Sequence, residues 1–85
     1  MSSKFVRIPD EMYFLCILHN VGATDLSRAL TLEEIARWTA TDLPKAEENL
    51  TKLIKNGYVG VSENSGVKRY FVTIDGIRKV LSMYS

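Results

Sequence analysis

The chain has 85 residues, a length at which nearly every apolar residue is needed for one core, so a single domain spanning 1–85 is expected and a separate catalytic lobe is not. Hydrophobic residues make up 46% and charged residues 25% of it, an ordinary globular balance that excludes a disordered chain. The net charge of +1 conceals an asymmetry, because residues 1–40 carry four basic and five acidic side chains and residues 41–85 carry seven and five. Any binding of phosphates must therefore come from local placement of charge.

Near the start, Phe5, Val6 and Ile8 lead to Pro9, whose fixed φ suits the first turn of a helix, with Asp10 and Glu11 favouring its positive end. This first helix is predicted to run to about Asn20 and to end at Gly22. Its centre, "MYFLCIL", is apolar all round, which calls for complete burial or for two buried faces, one of them against another chain. In so small a domain the second is expected, with Tyr13 and Ile17 as contacts. Cys16 is the only cysteine, which excludes an intrachain disulfide and a thiolate metal cluster and leaves it as a small core residue.

Val21 to Leu30 reads as a linker, in which Asp25 or Ser27 caps a brief helical turn or leads into a short strand around Ala29 and Leu30. Thr31-Leu32-Glu33-Glu34 fits a capping box, so a second helix starts at Leu32. Trp38 is expected to close its apolar face. The threonines of "TATD" place a turn at Thr39 to Thr41. Asp42 then caps a third helix with Pro44 in its first turn, and Gly57 stops it after Asn56.

Stepping 100° per residue, Leu43, Ala46, Leu50, Leu53 and Ile54 gather on the core side of the third helix. Lys45, Glu48, Lys52 and Lys55 point outward. Glu48 lies three residues after Lys45 and four before Lys52, within pairing reach of both. Glu47 falls on one flank beside Thr51. Asn49 falls on the other, either as a solvated surface residue or as a partner for an adenine edge.

Beyond Gly57, "YVGVS" and "VKRYFVT" read as two antiparallel strands joined through "ENSG". Lys68 and Arg69 lie beside that turn on opposite faces of their strand. Thr73 caps a last helix in which Ile77, Val80, Leu81 and Tyr84 share one face. The fold class is α+β, mainly α. No stretch is long and apolar enough to span a membrane and no signal peptide is evident, so a cytoplasmic protein is expected.

The segments "LTLEEIARWT", "LPKAEENLTKLIKNGYV" and "YFVTIDG" resemble the winged helix-turn-helix domains of small prokaryotic transcription regulators, the broad group of MarR-like, ArsR-like and PadR-like proteins. The likeness covers Leu30 to about Leu81. It implies a three-helix core with a two-stranded wing and a C-terminal helix, the third helix lying in the major groove of double-stranded DNA and the wing on the minor groove or backbone. Where that family often has Ser, Thr, Arg or Gln early in its recognition helix, this chain has Leu43, Pro44, Glu47 and Glu48.

On that resemblance Lys45, Lys52, Lys55 and Lys68 neutralise phosphates, Arg69 suits a narrow minor groove, and Glu48 either accepts from a cytosine amino group or holds the lysines in place. So few cations bind weakly alone, so a two-fold homodimer is expected through Tyr13, Ile17, Met83 and Tyr84. His19, the sole histidine, has no second ligand near in sequence and reads as structural. No cofactor motif, small-molecule ligand site or catalytic constellation is marked, and an enzyme is not expected. The alternative is a winged-helix module for protein–protein contact, in which the acidic residues of the third helix belong to the interface.

Overall fold

The structure, a computed structural model, describes residues Asp10 to Tyr84. Pro9 and the apolar residues expected to lead into the first helix lie outside them. The elements in chain order are α1 (Asp10–Asn20), a 3-10 turn (Leu26–Arg28), β1 (Leu30–Thr31), α2 (Leu32–Thr39), α3 (Leu43–Lys55), β2 (Val59–Asn64), β3 (Val67–Val72) and α4 (Ile74–Met83).

Helix starts follow local chemistry. Thr31 Oγ1 accepts from the Glu34 N–H while Glu34 accepts from the Thr31 N–H, closing the capping box of α2. Asp42 accepts from the Lys45 N–H at 2.9 Å and Thr73 from the Gly76 N–H at 3.0 Å, which caps α3 and α4. Both alternatives for the linker occur together: Asp25 caps the 3-10 turn through the Arg28 N–H, and β1 follows.

Three helices stop in one way. At the end of α1 the N–H of Ala23 bonds the Leu18 carbonyl and that of Gly22 bonds His19. At the end of α2, Thr41 bonds Ala36 and Ala40 bonds Arg37, and at the end of α3, Tyr58 bonds Leu53 and Gly57 bonds Ile54. This paired bonding is the Schellman stop, which places one residue in the left-handed region. Gly57 occupies it at φ 81°, whereas Ala40 takes it at φ 56° in the turn between α2 and α3. That turn is further tied by Thr39, whose hydroxyl donates to the Ile35 carbonyl at 2.8 Å and lies 3.0 Å from the Thr41 hydroxyl.

The sheet runs β1-β3-β2, antiparallel throughout. The hairpin turn is tighter than "ENSG" suggests: both strands extend to the tip, and Ser65 and Gly66 alone make the turn at φ 56° and 80°, the positive-φ pair of a two-residue hairpin loop. The core joins Phe14, Leu15 and Leu18 of α1 with Ile35, Leu50, Leu53, Val72 and Val80. Gly76 lets α4 lie directly against the strands, because a Cβ there would meet the Tyr58 carbonyl and the Val72 side chain. Thr73 secures the same corner, donating to the Gly57 carbonyl at 2.7 Å.

Three core assignments are corrected. Trp38 does not close the apolar face of α2 and is 57% exposed, and Leu43 and Ile54 are also exposed, because the neighbours of α2 and α3 cover a narrower arc than the apolar stripes. Tyr70 is buried and Tyr58 packs against the core.

Candidate nucleic-acid interface

Helix α3 offers one flat outward face, and Lys45, Glu48, Lys52 and Lys55 are all exposed on it. Its charge is largely internally balanced. Glu48 pairs with Lys52 one turn on, at 3.7 Å, and Lys45 pairs at 3.5 Å with Asp10 of α1. Lys55 has no ion pair among the described residues, so it is the least encumbered lysine of this face.

Asn49 is not on a solvated flank. It is 1% exposed, and neither its Oδ1 nor its Nδ2 has a hydrogen-bond partner among the described residues. Stepping around α3, Asn49 lies between the inward Leu53 and the outward Lys45, an angle at which the degree of cover decides burial. Neither alternative expected of it, a solvated surface residue or a partner for an adenine edge, agrees with this burial.

On the wing, the register separates the two cations. Val61 faces Tyr70 and Glu63 faces Lys68 across the hairpin, so Lys68 shares the face of the buried Tyr70, while Arg69, opposite Ser62 and Thr31, takes the other. Lys68 lines a groove of about 460 Å³ between the wing, the start of α2 and α3, together with Glu33, Glu47 and Tyr70. Burial pushes the Tyr70 hydroxyl above its ordinary pKa, and the carboxylates of Glu47 and Glu33 push it further. Lys68 thus faces a partly acidic recess, and Arg69 is presented clear of it.

Of the residues expected at a dimer surface, Tyr13 is 57% and Tyr84 64% exposed, whereas Met83 is partly covered by the core and Ile17 is half-buried. Burial pushes the Cys16 thiol up, and a hydrogen bond with Tyr84 acts in the opposite direction. Helix α4 packs against α1. His19 ends α1 with its Nδ1 buried and unpartnered. Two features had no signal in the sequence: the Asp10–Lys45 pair, which joins residues far apart in the chain, and the enclosure of Glu33 and Glu47 with Lys68.

Among the described residues no helix is long and apolar enough to cross a membrane, and no group of His, Cys, Asp and Glu is placed to hold a metal ion. No protein-family model and no curated protein matches the chain. Solved structures do match. The DNA-binding TubR fragment from Clostridium botulinum superposes with a TM-score of 0.79 at 19% identity, over 93% of this chain and 99% of that one. Bordetella bronchiseptica BpsR, whose DNA binding is regulated by 6-hydroxynicotinic acid, matches at 0.75 and 23% identity over 91% of this chain and 61% of its own. MepR of S. aureus, solved as a DNA complex, matches at 0.72 and 20% identity over 91% of this chain and 62% of its own. The chain thus spans nearly all of the TubR fragment and about three-fifths of the other two, and the likeness is one of fold. The chain is a mainly helical α+β protein with a winged helix-turn-helix fold.

Proposed function

We propose that this domain is a cytoplasmic transcription regulator that binds double-stranded DNA, with α3 in the major groove and the tip of the hairpin on the adjacent backbone or minor groove. The observation that carries this is the exposed outward face of α3, locked at a fixed angle to the wing by the Schellman stop at Gly57 and the Thr73 clasp. Lys45, Lys52, Lys55 and Lys68 serve as phosphate ligands and Arg69 as the minor-groove residue. Phosphate contacts fix register and carry no sequence information. With Asn49 buried, the direct readers left on α3 are few: Glu48 toward a cytosine amino group, and a lysine toward guanine. Binding on this reading is dominated by the backbone and the shape of the duplex.

Two copies are needed to reach useful affinity from so few cations, and the side bearing Tyr13, Ile17, Met83 and Tyr84 is the proposed dimer surface. The solved DNA complex of a protein with this fold supports the reading. Charge reversal tests it: Lys52→Glu, Lys55→Glu and Arg69→Glu together should abolish duplex binding in fluorescence anisotropy and leave the circular dichroism spectrum unchanged, and retained binding refutes it.

A second reading, a winged-helix module for protein contact, is favoured by the ion pairs that occupy Lys45 and Lys52 and by the exposure of Trp38 and Leu43 on either side of the α2–α3 turn. Absence of salt-sensitive duplex binding would select it.

A further inference from the structure

We propose that Asp10, outside the helix-turn-helix, sets the strength of duplex binding by holding Lys45 in an ion pair; this rests on the reading of α3 as a DNA-binding face. Asp10 Oδ2 lies 3.5 Å from Lys45 Nζ, with the two side chains 69% and 47% exposed. A pair so open to water is weak and readily exchanged, unlike a buried one.

Its position is what gives it leverage. Lys45 stands in the first turn of α3, where the positive end of the helix dipole disfavours an ammonium, and Asp10 stands in the first turn of α1, where a carboxylate is favoured. The carboxylate therefore neutralises a lysine that its own helix repels, and it does so from outside the helix-turn-helix. A phosphate that approaches Lys45 has to displace Asp10 and remain beside its negative charge. Glu48 acts on Lys52 in the same sense, but Glu48 is itself on the outward face and is confounded with base readout. Asp10 separates the two effects.

Removing the charge at Asp10 should strengthen Lys45 as a phosphate ligand, because the phosphate no longer competes with the carboxylate. An exposed pair of this kind corresponds to about a two- to fivefold change in Kd. Glu11 is the control, because it carries the same charge one residue on and has no ion pair among the described residues.

The experiment is anisotropy of a fluorescein-labelled generic duplex, titrated at several salt concentrations with the full chain and with Asp10→Asn, Asp10→Ser and Glu11→Gln, each also combined with Lys45→Gln. Serine keeps a residue that tolerates a helix start, so either Asp10 substitution can carry the result, and circular dichroism checks the fold. The expected result is two- to fivefold tighter binding for the Asp10 variants, lost when Lys45 is also replaced, with a smaller change for Glu11→Gln. An equal effect from Glu11→Gln, or an effect that persists with Lys45→Gln, reduces Asp10 to general charge and overturns the proposal. Wild-type binding unaltered by Asp10→Asn overturns this proposal alone, whereas no salt-sensitive binding by any variant overturns it together with the DNA reading.

Discussion

Replacing Asn49 with leucine should stabilise the domain and leave duplex binding unchanged. The asparagine is 1% exposed, and both of its side-chain polar atoms lack a partner among the described residues. A buried polar group without a hydrogen bond costs about 1–3 kcal/mol. Leucine has the same number of side-chain heavy atoms with the same branching, and it is also the better helix former. Its tetrahedral Cγ and larger methyl groups offset part of the gain through tighter packing against Leu53 and Ala46. A net stabilisation of about 1–2 kcal/mol remains, which in a domain of this size raises Tm by at least about 4 °C. Thermal and urea unfolding followed by circular dichroism measure it, and anisotropy with a duplex supplies the second readout. A lower Tm would mean that the amide is satisfied in solution and the site is not a polar defect. Lost duplex binding with the fold intact would mean that Asn49 turns outward to a base, contrary to its placement here.

Gly76→Ala should destabilise by about 1–3 kcal/mol, because the added methyl meets the Tyr58 carbonyl and the Val72 side chain where α4 rests on the strands; an unchanged urea midpoint would show that α4 can slide to make room. Tyr13→Glu with Tyr84→Glu should convert a dimer to a monomer in sedimentation velocity at micromolar concentration, since both are large, exposed hydrophobic side chains of the proposed interface. A wild-type protein already monomeric there, or a double variant that remains dimeric, removes that surface as the interface.

What could be read from the sequence was local. Thr31 with Glu34, Asp42 with Lys45 and Thr73 with Gly76 are each three residues apart, so helix starts were legible from residue type and spacing. The stops were legible at Gly22 and Gly57 for the same reason. At Ala40 only the threonine-rich turn marked the stop, since alanine in the left-handed region has no signature in composition.

What could not be read depended on how far a neighbouring element covers a flank. Helical angles placed Asn49, Leu43 and Ile54 near the edge of the core stripe, and at an edge the shape of the adjoining helix or hairpin decides burial. It covered Asn49 and left the two apolar residues exposed. The charge balance of α3 was half legible: Glu48 with Lys52 follows from one-turn spacing, whereas Asp10 with Lys45 exists only because α1 packs beside α3. The wing cations were correctly divided between two faces, but which face meets the Glu33–Glu47 recess required the register of the hairpin.

On the proposed function, the face of α3 and the wing engage duplex phosphates. Anisotropy of a generic labelled duplex, titrated with the wild-type chain across a series of salt concentrations, tests it most directly. Engagement of about four phosphates per protomer gives a log–log slope of roughly −3.6 for one protomer and about double for a dimer. A flat salt dependence, or no binding at low salt, would contradict the account and leave the fold with a protein partner instead.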